Sequence, residues 1–255
     1  MTPAETELLR LEGVGFAFGG EGGRAILADV GCRVAPGEIC AVVGPSGVGK
    51  STLLRIMAGQ LSPNQGNVRR PGRLPATVPV LYHPQEAMLL PWSTVGTNVE
   101  LGLRFADLPP SMEVKNLLSK LELDGLADRH PARLSGGQVE RTALARTLVT
   151  PASVYLLDEP LSGTDYVLRV KIEEFLVGFM RGRQSGAVIV THDLPQAAAL
   201  SDFLILIVPG KDAAQAMRVE VPEELRMHLP GERRASEHIG PFVNEMLRLI
   251  EGGAQ

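Results

Sequence analysis

Short apolar runs alternate along the chain with stretches in which apolar residues recur every three or four positions. Leu8 to Val14 and Ile26 to Val34 read as short strands on either side of the glycine-rich run Gly19–Gly23, so the first 35 residues predict a β-rich, antiparallel lip. Ile39–Val43 is a continuous apolar strand ending in glycines, and Ser51–Ala58 behind it carries its apolar residues at helical spacing. Similar runs recur at Val154–Leu157, Ala187–Val190 and Phe203–Val208. Unbroken rather than alternating apolar strands are expected where helices cover both faces of a mostly parallel sheet, which predicts an α/β core.

Between about Gln85 and Thr150 the strand pattern disappears, and Val114–Leu121 and Gln138–Val149 read as amphipathic helices. The predicted organisation is therefore a core from 1–84 and 151–210, an inserted helical subdomain at 85–150 and a tail at 211–255. The tail is polar and Pro/Gly-bearing through Gly231. It then regains a helical stripe in Pro241–Ile250 through Phe242, Met246, Leu249 and Ile250, with Pro241 suited to the first helical position. No internal repeat or low-complexity tract interrupts this plan.

Charge and composition narrow the function. The balance of 25 Lys+Arg against 29 Asp+Glu gives a formal charge of −4, which leaves no basic excess to hold nucleic acid. The first ten residues, Met1 to Arg10, carry acidic groups where a secretory signal would be basic. No apolar run approaches the ~20 residues that cross a bilayer. Both features predict a chain without signal peptide or transmembrane segment. Cys32 and Cys40 have no companion pair or nearby His and are expected to be ordinary buried residues. The 28 glycines point instead to many close backbone approaches.

Gly44-Pro45-Ser46-Gly47-Val48-Gly49-Lys50-Ser51 fits G-x-x-x-x-G-K-[ST] between a predicted strand and a predicted helix, the context its mechanism requires. Glycines there let backbone N–H groups turn toward phosphate oxygens, and the helix N-terminus adds partial positive charge. Lys50 can reach the β- and γ-phosphates, and Ser51 can ligate Mg²⁺. Val154–Leu157 then delivers Asp158 and Glu159 at the carboxyl end of a strand, where open α/β sheets bind ligands. Asp158 is the candidate for Mg²⁺, and Glu159 the candidate base or orienter for an attacking water.

Leu134-Ser135-Gly136-Gly137-Gln138, followed by a helical run with Arg141 and Arg146, resembles the signature of the ATP-binding cassette ATPases. The resemblance covers about residues 8–208 and implies a P-loop NTPase core with an inserted helical subdomain. It also implies that Ser135, Gly136, Gly137 and Gln138 face the γ-phosphate held by the phosphate loop, Gly44 to Thr52, of a second copy. Gln85 resembles the family's loop glutamine, which senses Mg²⁺ and the attacking water. His192 resembles the switch histidine that hydrogen-bonds the γ-phosphate, while His83, His130, His228 and His238 match no family position and read as surface or packing residues. Phe18, 26 positions before Gly44, corresponds to an aromatic that stacks on adenine, with Phe where Tyr is common; Phe16 reads as core. Asp165 matches a loop that touches the opposite cassette, although Gly163 and Thr164 depart from the usual Ala-Leu there.

Gln85-Glu86-Ala87-Met88-Leu89-Leu90-Pro91-Trp92-Ser93-Thr94-Val95 further resembles a segment of importer ATPases in the nitrate, sulfonate and taurine group. Trp92, the single Trp, either packs the helical subdomain or belongs to an apolar rim that accepts a helix of a membrane subunit. The resemblance thus implies an ATP- and Mg²⁺-dependent ATPase at the cytoplasmic face of the membrane. It would work as a head-to-tail dimer with integral membrane permease subunits and, indirectly, a solute-binding protein. The alternatives are a cassette for lipid extraction or export, or a non-transport ATP-dependent scaffold. The tail is expected to pack on the core, being too short for an added regulatory domain of about a hundred residues.

Overall fold

The computed structural model describes residues 7–19, 23–70, 77–104 and 108–252; the predicted acidic start falls largely outside these, as does the middle of the Gly19–Gly23 run. Among the described residues a nine-stranded sheet organises the molecule. Its strands are β1 (Leu9–Phe18), β2 (Arg24–Val34), β3 (Ile39–Val43), β4 (Gln65–Arg69), β5 (Val78–His83), β6 (Ala152–Asp158), β7 (Gly186–Val190), β8 (Phe203–Val208) and β9 (Ala214–Glu220). The spatial order is β4-β1-β2-β9-β8-β3-β7-β6-β5. From β8 to β5 every pairing is parallel, and β3, β6, β7 and β8 are buried along their whole length. That burial on both faces is why these strands read as unbroken apolar runs.

The lip is the antiparallel set β4-β1-β2. It joins the core through β9, which lies parallel to β2 and antiparallel to β8. Three of these strands went unread in the sequence, each for a physical reason. In β4, Gln65–Arg69, four of five residues are exposed at the sheet edge, so no apolar pattern survives. In β5 Pro79 is the second residue, tolerated because this is the opposite edge and one side of the strand needs no N–H partner. In β9 exposed and half-buried positions mix, and the polar stretch expected after Val208 is instead this strand followed by short helices.

Helices α1 (Lys50–Ala58), α5 (Tyr166–Arg183) and α6 (Leu194–Leu200) cover the sheet; α2 (Val95–Glu100), α3 (Val114–Lys120) and α4 (Gly136–Leu148) form the helical segment. Leu117, Leu121, Leu144 and Leu148 of that segment share one buried cluster with Val99 and Tyr155, so it packs directly on the sheet. The tail holds α7 (Glu223–Arg226), α8 (Pro230–Ala235) and α9 (Ile239–Gly252). Pro241 is the third residue of α9 rather than the first. It still lies within the first turn, where a helix leaves backbone N–H groups unbonded.

Phe242 and Met246 bury the inner face of α9 against Leu194, Ala197, Ala198, Leu204 and Leu206 of α6 and β8. His83 ends β5 fully inside, its Nδ1 2.9 Å from Thr147 Oγ1 on α4. Thr147 donates its own proton to the Ala143 carbonyl, so His83 must be the donor and the Nδ1–H tautomer is fixed. Cys32 and Cys40 are buried and unbridged.

Two outcomes are expected. Phe242→Ala should lower unfolding free energy by about 3 kcal/mol in chemical denaturation, and a loss below about 1 kcal/mol would mean the tail helix is only loosely applied. Burial, helped by Arg146, pushes the His83 pKa down from 6.5 to about 4. As the pH falls from 6.5 toward 4 the unfolded chain binds a proton that the folded chain refuses, so stability is lost across that window, on the order of 2–3 kcal/mol. Histidine NMR signals should show one ring silent until about pH 4, and His83→Gln should flatten the pH dependence. A His83 titration near 6.5 would contradict the sealed placement.

Candidate active site

Parallel strands carry their carboxyl ends to one edge, and there the candidate residues meet. After β3 the chain turns at Gly44, where a Cβ would collide with the Ile207 carbonyl oxygen, so the loop from Gly44 to Gly49 passes hard against β8 before α1 begins at Lys50. The Lys50 ammonium is bonded to the Gly44 and Pro45 carbonyls, both at 2.9 Å. Burial pushes its pKa down, and the negative charges of Glu159 and Asp158 oppose that shift. The cation therefore faces two carboxylates at the foot of the loop.

A cleft of about 290 Å³ opens above it. Phe18 and Ile26 form one wall, Ser46, Gly47, Gly49, Lys50, Ser51 and Thr52 the floor, and Gln85 and Glu159 the far side. Phe18 is 54% exposed and meets buried Phe16 edge-on at 5.0 Å, so Phe16 is core and Phe18 is free to offer its face. Pro45 and Val48 shape the rest of the loop, lining the neighbouring depression toward β9.

Asp158 and Glu159 have different environments. Asp158 is buried, and one carboxylate oxygen accepts from the Tyr82 hydroxyl at 3.2 Å while the other has no hydrogen-bond partner. Burial raises its pKa; the Ser51 and Tyr82 hydroxyls pull it back down. A buried carboxylate oxygen left unpaired beside Ser51 fits a hydrated divalent cation, because an unpaired buried acceptor is otherwise costly. Among the described residues no group of three or more His, Cys, Asp and Glu side chains forms a metal cage. Such an ion would accordingly take most of its oxygens from phosphate and water.

Glu159 has φ +47°, the left-handed region, and its N–H is bonded to the Val190 carbonyl at 3.1 Å. A non-glycine residue held there stores backbone strain, and here that conformation turns the carboxylate into the cleft. Gln85 Nε2 donates to one of its oxygens at 3.4 Å, and His192 Nδ1 lies 3.5 Å from the other. Gln85, Glu159 and His192 are thus brought together with Lys50, Ser51 and Asp158.

The signature residues are placed elsewhere. Ser135 caps α4: its hydroxyl accepts from the Gln138 N–H, and its own N–H donates to the Gln138 side chain. Asp165 caps α5 by accepting from the Leu168 N–H at 3.1 Å. Neither of these, nor Gly136, Gly137 or Gln138, lines the cleft that holds Lys50 and Glu159. Gly137 comes so close to the Gly163 carbonyl that a Cβ would stand 2.7 Å from it.

Several supporting contacts escaped the sequence reading. Glu140 accepts from the Gly163 N–H at 2.7 Å and the Ser162 hydroxyl at 3.3 Å, tying the signature helix to the loop after the paired carboxylates. Arg146 holds the Ala87 and Met88 carbonyls, and buried Asn98 holds Leu90, Ser93 and Thr94. The loop is pinned from both sides, yet Trp92 is 74% exposed and Met88 69%. Packing of the helical segment is therefore not what Trp92 does. Tyr82 lay in the unread edge strand; Glu140 and Arg146 act on atoms 22 to 59 positions away, and Asn98 acts on a loop 4 to 8 residues before it that has no regular pattern to read.

Comparison with known proteins agrees with this geometry. A sequence profile described as ABC transporter matches residues 27–162. The aliphatic sulfonates import ATP-binding protein SsuB of Ralstonia nicotianae is 40% identical over 222 residues, covering 86% of this chain and 76% of its own. The protein of the same name from Granulibacter bethesdensis is 36% identical over 205 residues, 80% of this chain and 82% of its own. The dimeric ATP-binding cassette MJ0796, in a post-hydrolysis state bound to ADP and Pi, has a TM-score of 0.71 and 27% identity over 84% of this chain and 99% of that one. With a phosphate loop, paired carboxylates and a capped signature helix on a shared cassette fold, the chain belongs to the ABC transporter family as an ATP-binding, ATP-hydrolysing subunit.

Proposed function

We propose that this ATPase drives import of a small sulfonate or similar solute, working as a head-to-tail pair clamped beneath two permease subunits. The bracketing of Glu159 by Gln85 and His192 above Lys50 carries the catalytic part of this reading. Relatives named as aliphatic sulfonate importers support the direction and the solute class.

In this reading Phe18 stacks on the base, and backbone N–H groups from Gly44 to Ser51 take the phosphates. Lys50 exchanges its two carbonyl partners for phosphate oxygens, keeping a buried cation satisfied throughout. Ser51 and Asp158, with Gln85 nearby, would hold Mg²⁺, which supplies positive charge to the phosphates. Glu159 takes the proton of the attacking water, and Gln85 and His192 hold that water and the γ-phosphate in line. The cleft is open above its floor, between the Phe18 wall and the far side. A second copy would close it with Ser135, Gly136, Gly137 and Gln138, with Asp165 beside the contact.

The exposed Met88–Trp92 rim is the proposed permease contact. It begins three residues after Gln85, so motion of that glutamine with nucleotide state is passed along a loop whose backbone is already pinned. Among the described residues no helix is long and apolar enough to cross a membrane, so coupling by this reading runs through a partner.

Glu159→Gln should bind ATP normally, lose about 10²–10⁴-fold in hydrolysis and accumulate as an ATP-bound dimer on size-exclusion chromatography. Hydrolysis at the wild-type rate would remove Glu159 from the base role. Trp92→Ala should weaken capture of the permease from detergent-solubilised membranes about tenfold or more, the effect of losing an aromatic anchor. Undiminished capture would move the contact elsewhere.

A further inference from the structure

The His192 side chain is 70% exposed, and Glu159 stands 3.5 Å away, too far to fix the ring by itself. Its position therefore depends on the backbone of its two neighbours. The Thr191 hydroxyl accepts from the Asp193 N–H at 3.0 Å and donates to Gln196 Oε1 at 2.5 Å, so one side chain grips the turn on both sides of the histidine. Gln196 in turn donates through Nε2 to Glu173 Oε1 at 2.8 Å. Glu173, fully buried on α5, forms an ion pair with Arg234 of α8 at 2.5 Å.

These bonds have a direction. An ionised carboxylate only accepts, so Gln196 must turn its NH₂ toward Glu173 and its oxygen toward Thr191. Thr191 must then donate to Gln196, which leaves a lone pair for the Asp193 N–H. Burial favours a proton on Glu173, while Arg234 and Arg169 favour the charge that sets this polarity. Arg234 is itself held in place by its neighbour. The fully buried Arg233 donates to the carbonyls of Ser201, Arg226 and His228, fastening α8 to the end of α6.

We infer that Arg234 and Glu173 are positioning residues for the switch histidine, through which the C-terminal tail orders the turn that presents His192 to the γ-phosphate. A cavity of about 30 Å³, lined by Glu159, Thr191, His192 and Gln196, lies where the relay meets the catalytic carboxylate. Its volume is on the scale of one water. The inference rests on the reading of His192 given above.

The full-length chain is assayed for MgATP hydrolysis and, separately, for binding of a non-hydrolysable ATP analogue. Arg234→Gln should lower kcat about tenfold while the analogue Kd changes less than about twofold, and Arg234→Lys should recover kcat to within about threefold. A wild-type kcat in Arg234→Gln, a parallel loss of ATP affinity, or no recovery with Lys would overturn the relay. If Arg234→Gln does not fold, Thr191→Val removes only the hydroxyl and should give the same split; a wild-type kcat there also overturns it. His192→Ala in the same assay separates the two ideas. Loss of hydrolysis in His192→Ala with a normal Arg234→Gln defeats the relay alone, whereas normal hydrolysis in His192→Ala defeats the switch reading and the relay with it.

Discussion

The parallel pairing of β5, β6, β7 and β3 is the constraint on which the rest depends. In that register Val42 stands opposite Val190, Val190 opposite Asp158, and Leu157 opposite His83. The Gly44–Gly49 loop, the paired carboxylates, the turn at His192 and the Gln85 loop are the continuations of these four strands. Because side chains alternate along a strand, a slip of one residue would turn Asp158 out of the site and bring an apolar neighbour in. The charged groups of the cleft extend from backbone ladders made behind them, three of whose strands, β3, β6 and β7, are buried along their whole length. Lys50 can remain charged at its depth because that register brings two carboxylates to it.

Around this edge, polar residues fasten loops that carry no regular structure of their own. Glu140 joins the signature helix to Ser162 and Gly163, Arg146 and Asn98 grip the loop that runs from Gln85 to Trp92, and Thr191 grips the switch turn. Each bond contributes on the order of 1 kcal/mol, too little to decide whether the fold forms. Their collective effect is mechanical. In the proposed reading, a displacement at the cleft end of such a pinned loop would reach its exposed end instead of dissipating.

The sequence disclosed those parts of the molecule whose chemistry is written in consecutive residues. Ile39–Val43, Phe203–Val208 and the phosphate loop are legible because burial on two faces and phosphate approach each demand a local composition. The edge strand with Pro79, the exposed β4 and the mixed β9 were not, since an edge or a seam tolerates residues that a central strand excludes. Within the site, Glu159, Asp158, Gln85 and His192 could be picked out by order along the chain. Tyr82, which bonds Asp158, and Glu140 and Gln196, which brace the loops around the site, could not, because what makes each of them matter is a neighbour 5 to 76 positions away.

The seam strand changes how the tail is understood. As a polar appendage the last 45 residues would have little bearing on catalysis. Yet among the described residues β9 is the only link in the sheet order between lip and core, and it lies next to β8, whose far neighbour β3 feeds the phosphate loop. The lip carries Phe18, so that wall of the cleft is held to the floor formed by the Gly44–Ser51 loop by a strand from the tail. Beyond it, α8 and α9 pack against α6, the helix that begins just after the switch turn. Both ends of the nucleotide site thus lean on the same C-terminal segment. A chain lacking that segment would keep every motif residue and still lose the geometry that makes them a site.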